Sequence, residues 1–140
     1  VSANPVQYLN PEGACPAQGL YSHVGKVESG PLLFIAGQLA VDARGGVIGK
    51  HDFDAQFTQV FENLNAVLRG MGGGFEDVIK FTTYLVHAQD IEKFMKARAE
   101  LFPRIFPGGS YPPNTLLIVD RLVKEEFLIE VEAVAAVRSR

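Results

Sequence analysis

The segment from Phe127 to Val137 constrains the fold more than any other in this chain of 140 residues. It alternates. Phe127, Ile129, Val131, Ala133 and Ala135 fall on one side of an extended backbone, and Leu128, Glu130, Glu132 and Val134 on the other. A strand with one wholly apolar side has to bury that side against other elements. Its second side carries two carboxylates between Leu128 and Val134, which leaves two readings open. Either the acids line a solvated face, or one of them faces a closed pocket, where desolvation raises its pKa and suits it to proton transfer.

The other elements follow from this strand. Asn114 to Val119, entered through Pro112-Pro113, reads as a neighbouring strand, and Asp120 to Glu126 as the charged connection. Residues 1–20, with Pro11, Gly13, Pro16 and Gly19, read as an irregular leader. Tyr21–Val27 and Leu32–Ala36 read as two short strands joined in a hairpin by Glu28-Ser29-Gly30-Pro31. Asp52 or Asp54 caps a helix running to about Arg69, stopped by Gly70, with Phe57, Val60, Phe61, Leu64, Val67 and Leu68 as its apolar stripe. Ile79–Val86 reads as a strand with Ile79, Phe81, Thr83 and Leu85 on one side. A second helix spans about Asp90 to Phe102, carries Ile91, Phe94, Met95, Arg98, Leu101 and Phe102 at helical spacing, and ends at Pro103. The order β-β-α-β-α-β-β makes residues 1–140 one α+β domain with two helices on one face of a sheet.

That sheet has a second face. Leu32–Ala36 and Leu116–Val119 are apolar on both sides, and two helices cover only one of them. The economical cover for the other is a second copy, so a homo-oligomer is expected. A hydrophobic content of 47% supplies a core and argues against disorder. The net charge of −3 gives no general attraction to nucleic acid or an anionic membrane. No apolar run approaches the roughly 18 residues that would span a bilayer. The N-terminal residues lack the basic-then-apolar pattern of a signal peptide, so a cytoplasmic location is expected. Cys15, the only cysteine, leaves no intrachain disulfide to form.

Familiar catalytic motifs are missing. His23, His51 and His87 form no HExxH and have no cysteine pair beside them, so neither a metal site nor a cofactor is expected. There is no GxSxG elbow, and Gly72-Gly73-Gly74 lacks the Lys-Ser/Thr ending of a phosphate loop. Arg121, Lys124, Arg138 and Arg140 are a thin scatter, with no basic-aromatic stripe for RNA.

Three runs, in order and at matching spacing, carry a resemblance. They are Phe34-Ile35-Ala36-Gly37-Gln38 before an acidic turn, Ile79 to Val86 before the second helix, and Ile129-Glu130-Val131-Glu132-Ala133-Val134-Ala135. With these the chain resembles the Rid (reactive intermediate deaminase) family, also called YjgF or L-PSP, from about Tyr21 to Arg138. The resemblance implies a chorismate-mutase-like α+β fold, assembled as a homotrimer with clefts between neighbouring subunits. It also implies hydrolysis of small imines or enamines derived from amino acids to a keto acid and ammonia. Carried over by position, Glu130 is the residue that activates or orients water and Gly37 the turn glycine. Leu116 offers its backbone, and His23 or Tyr21 is the aromatic that lines the cleft. The family's carboxylate-clamping arginine falls on Asn114, a neutral residue. Asparagine cannot replace a guanidinium–carboxylate fork, and losing that charge-assisted pair weakens binding by about a hundredfold unless another cation, such as His23, Arg104 or Arg121, reaches in. The expected activity is therefore imine or enamine hydrolysis with a non-standard substrate preference. A trimeric small-molecule-binding or regulatory protein without turnover is the alternative. An endoribonuclease, disfavoured by the acidic charge, stands third.

Overall fold

The computed structural model describes residues 6–137, so Arg138 and Arg140 lie outside it. Strands β1 (Val6–Leu9), β2 (Val24–Val27) and β3 (Leu32–Gln38) precede helix α1 (Phe53–Gly70). Then come β4 (Val78–Leu85), α2 (Ile91–Ile105), β5 (Asn114–Ile118) and β6 (Ile129–Ala136). Four of the strands form one mixed sheet in the order β3-β6-β4-β5. β6 is antiparallel to both β3 and β4, while β5 lies parallel to β4, reached through the crossover helix α2. The expected α+β architecture, two helices on one face of a sheet, is what the chain adopts.

Each helix has a local cause. Asp52 is extended, and its side chain accepts a hydrogen bond from Ala55 N at 3.1 Å, which caps α1. Phe53, Phe57, Val60, Phe61, Leu64 and Leu68 then turn one stripe inward. In α2 the chain stays helical through Pro103 and stops at Ile105, beyond the expected end at Phe102. Proline removes one backbone donor, but the last turn is closed by Phe106 N donating to Phe102 O at 2.8 Å. The Phe102 and Phe106 rings, 5.2 Å apart, anchor both sides of it.

The N-terminal third departs from expectation. Val6–Leu9, inside the stretch read as irregular, is a strand. Its partner is β2, with Val6 opposite Val27 and Leu9 opposite Val24. β2 is therefore not in a hairpin with β3, and Tyr21 and His23 precede the strand instead of belonging to it. The edge of β3 is occupied by β6. The β1–β2 ribbon is fixed to the start of β4: Tyr8 Oη donates to Val78 O at 2.7 Å, and β2 lies so close that a Cβ on Gly25 would strike the carbonyl of Ile79. Ile79 sits at a register shift in the β4–β6 ladder, so Val78, not Ile79, shares the inward side with Phe81, Thr83 and Leu85.

The core fills the space between the helices and one face of the sheet. Ile129, Val131, Ala133 and Ala135 project into it from β6, as the alternation requires. Phe81 is its hub, 5.8 Å from Phe61 and 5.9 Å from Phe102 between ring centroids. Gln56, buried in α1, ties the entry of β6 to the helix. Its amide donates to Gly49 O and Glu126 O, and its carbonyl accepts from Leu128 N at 2.8 Å. This bond holds the backbone two residues before Glu130. The opposite face is bare: Phe34 is 77% exposed there, with Leu32 and Leu117 also exposed. Among the described residues no helix is long and apolar enough to cross a membrane.

Candidate functional site on the open face of the sheet

Glu130 lies opposite Tyr84, which in turn pairs with Leu117. Glu132 lies opposite Thr82 in the next row. Both glutamates therefore stand on the open face. On the far side of β6 the ladder with β3 is broken: Ile35 pairs with Ala133 and Gln38 with Val131, so Ala36 and Gly37 together oppose Glu132. This bulge carries the Gly37 backbone onto Glu130, and a Cβ at Gly37 would overlap the Glu130 carboxylate. Glycine is needed here for close approach, and the bulge brings Gly37 and Glu130 side by side.

The two carboxylates have different surroundings. Tyr84 Oη donates a short hydrogen bond to Glu132 Oε1, and this bond, followed by burial and the nearby glutamates, raises the Tyr84 pKa. Glu130, half-buried, has no hydrogen bond or ion pair among the described residues. Its pKa is raised, first by burial and then by the charge of Glu132. Of the two neighbouring acids, Glu130 is made by burial and the adjacent charge more reluctant to give up its proton than a free carboxyl. Tyr84 was not singled out from the sequence, although the alternation of β4 puts it on the glutamates' face.

The other candidate residues lie elsewhere. Asn114 pairs with Phe81, and Leu116 with Thr83, on the helix-covered side. Asn114 Oδ1 accepts from the buried Thr83 Oγ1 at 2.7 Å, which leaves its amide N–H groups as the available donors. Leu116 packs on the margin of the core. Tyr21 and His23 meet edge to face, with centroids 6.1 Å apart. His23 Nε2 is 2.6 Å from Cys15 O, and its backbone N–H donates to Asn10 Oδ1. Within one chain, then, Glu130 and Gly37 are together, while Asn114 and Leu116 are separated from them by the sheet. Two of the proposed replacement cations are engaged locally, Arg104 with Glu100 O and Arg121 with Leu122 O and Glu125. A groove of about 840 Å³ between α1 and α2, lined by Phe57, Glu62, Arg69, Lys96 and Glu100 among others, includes Arg104 but not Glu130, Gly37, Asn114, Leu116, Tyr21 or His23. No group of three histidine, cysteine or acidic residues suited to a metal occurs among the described residues.

The family described as Endoribonuclease L-PSP matches residues 12–137. The chain belongs to this family, the Rid or YjgF family. A RutC family protein of Pyrococcus horikoshii is 40% identical over 124 residues, covering 89% of this chain and 92% of the relative. The 2-iminobutanoate/2-iminopropanoate deaminase of Salmonella typhimurium is 30% identical over 129 residues, covering 91% and 94%. Among solved structures, the Rid family protein YyfB from Yersinia pestis superposes with a TM-score of 0.83 at 33% identity, covering 95% of this chain and 99% of that one. The three runs that carry the resemblance, at Phe34–Gln38, Ile79–Val86 and Ile129–Ala135, all lie within the matched residues of the Rid family.

Proposed function

We propose that the protein hydrolyses small imines or enamines to a carbonyl compound and ammonia, in clefts closed by neighbouring copies in a homotrimer. The observation that carries this reading is Glu130: a half-buried carboxylate with a raised pKa, free of partners among the described residues, pressed against the backbone of Gly37. As a carboxylate, Glu130 accepts a proton from water as the water oxygen bonds to the imine carbon. Glu130 hands that proton to the imine nitrogen, giving a neutral carbinolamine; it then takes the carbinolamine hydroxyl proton and passes it to the amine as the C–N bond breaks, so that ammonia leaves and the carbonyl forms. The charge of Glu132, a hydrogen-bond partner of Tyr84, favours the protonated form of Glu130. The exposed side chains of Leu32, Phe34 and Leu117 supply the apolar surface that a second copy would cover. The same closure would exclude water in bulk from Glu130.

Ammonia release from imines generated in place by an amino-acid oxidase, across acidic, neutral and basic side chains, tests the reading. Glu130→Gln is expected to lower turnover by at least about a hundredfold, within the range of general acid–base catalysis, without altering the oligomer. Equal turnover by the two proteins removes Glu130 from the mechanism. Asn114 favours a second reading, a binding protein without turnover, because a neutral side chain, its Oδ1 engaged with Thr83, stands where the family's arginine falls. Silence of the wild type across the whole panel selects that reading.

A further inference from the structure

Tyr84 reaches past its own ladder partner. It lies opposite Glu130 in the β4–β6 pairing, while Glu132 lies opposite Thr82. Its hydroxyl nevertheless donates to Glu132 Oε1, one row along the sheet, and not to Glu130 across from it. A phenol has one proton to donate, so only one of the two carboxylates receives it. Glu130 is left without a hydrogen bond or ion pair among the described residues, with the Gly37 backbone against it.

The rest of the open face offers these acids little. Its titratable groups among the described residues are Lys80 and Tyr84 on β4 and Glu130 and Glu132 on β6. Lys80 stands opposite Val134, and no ion pair joins it to either glutamate. β5 brings Thr115 and Leu117 to these rows and β3 brings Leu32 and Phe34, none of which titrates. A phenylalanine would fill the same place in the ladder between Leu117 and Glu130. Packing alone therefore does not account for the hydroxyl.

Two carboxyls at alternate positions on one side of a strand lose their protons as a pair. The second proton has to leave beside a charge already present. A hydrogen bond donated to that charge makes the doubly ionised pair easier to reach. Without the donor, the two side chains are free to turn to each other and share the remaining proton, as neighbouring acids do when nothing else holds them. A shared proton is a poor one to exchange with a third molecule, because both carboxyls have to let go of it.

We propose that Tyr84 is a positioning residue for Glu130: by holding Glu132 on its hydroxyl it keeps the two carboxyls apart and leaves Glu130 to exchange protons with water and the substrate nitrogen. Tyr84 acts through Glu132 and not on the reacting atoms. The inference rests on the imine-hydrolase reading for the reaction that Glu130 serves. Where the proton sits within the pair is a property of the folded protein, and it is readable with no substrate present. Two opposite expectations follow. Loss of the Tyr84 hydroxyl makes the last proton of the pair harder to remove, whereas loss of the Glu132 charge, which favours protonated Glu130, makes it easier.

NMR titration of the full chain, isotope-labelled at its glutamate carboxyl carbons, tests the proposal, with the Glu130 signal assigned from its loss in Glu130→Gln. Tyr84→Phe is expected to move the Glu130 titration up by about one pH unit, and Glu132→Gln to move it down by about one. The double variant is expected to titrate like Glu132→Gln alone, because Tyr84 acts only through that carboxylate. The ascending limb of the pH–rate profile for imine hydrolysis is expected to shift in the same directions. Thermal melts confirm that each variant folds, and Glu132→Gln remains informative if Tyr84→Phe does not. An unmoved Glu130 titration in either folded single variant, shifts of the same sign in both, or a double variant unlike Glu132→Gln each overturns the proposal. Titrations that shift as expected in a protein that hydrolyses no imine overturn the catalytic reading alone. Glu130-dependent hydrolysis whose pH profile ignores both substitutions overturns the Tyr84 assignment alone.

Discussion

The two faces of the four-stranded sheet are made by the same alternating strands, yet they handle charge in opposite ways. On the covered face, Ile129, Val131, Ala133 and Phe81 meet the helices, and Arg98, the one buried cation among the described residues, arrives from α2. On the open face, Glu130, Glu132 and Tyr84 stand among the exposed side chains of Leu32, Phe34 and Leu117. On the first face the Arg98 charge is buried and has no ion pair within the described residues. On the second face the charge is only half-desolvated, and further cover would push the Glu130 pKa higher still. Titratable groups in this fold are adjusted by how much protein lies over them, and the open face lays less over Glu130 than the helices lay over Arg98.

Three substitutions sharpen the contrast. Phe81→Ala removes the hub of the covered face and is expected to cost about 3–5 kcal/mol in denaturant unfolding. A loss below about 1 kcal/mol would mean that the aromatic cluster repacks around the gap. Phe34→Asp, at a residue 77% exposed in the chain, is expected to change the stability of an isolated chain by about 0.5 kcal/mol or less while converting the proposed homotrimer to monomer. Sedimentation that still shows the oligomer would place the interface elsewhere. The smallest effect is expected from Glu130→Gln, and its sign is diagnostic. Because the folded state raises the Glu130 pKa, the folded protein holds the proton more tightly than the unfolded chain. The stabilisation from that proton is complete below the unfolded value of about 4.3 and is lost as pH rises through the folded value. Glu130→Gln should therefore melt higher than wild type at pH 8 and no higher at pH 4. A gain confined to low pH would mean that the ionised carboxylate is the favoured form.

Much of this arrangement was legible in the sequence because burial imposes a period. β6, β4 and the stripes of both helices follow from alternation or three-and-four spacing alone. The strand Val6–Leu9 did not, since four residues in a Pro- and Gly-containing stretch are too few to show a period, and its pairing with β2 is a tertiary choice. Pro103 misled because its missing donor is tolerated where Phe102 and Phe106 clamp the last turn. Glu130 and Gly37 were recognisable through the family's spacing, but the bulge that joins them is a register shift between strands far apart in sequence. Arg98 was visible as a stripe position. A stripe shows that a residue turns inward and is silent on whether a charge there has a partner.

The central position of β6 also sets the order in which the molecule is assembled. Gln38 finds its ladder partner at Val131, and Tyr84 finds its own at Glu130, so both sides of the sheet wait for the same late segment. Until it docks, β3 presents an unpaired edge carrying Leu33, Phe34 and Ile35, the kind of exposed apolar strand that joins other chains before its own. Pairings across such sequence separation are slow to form. Neither Gly37 nor Tyr84 has a glutamate to meet before that moment, so the carboxylate site is completed only in the closing step of folding.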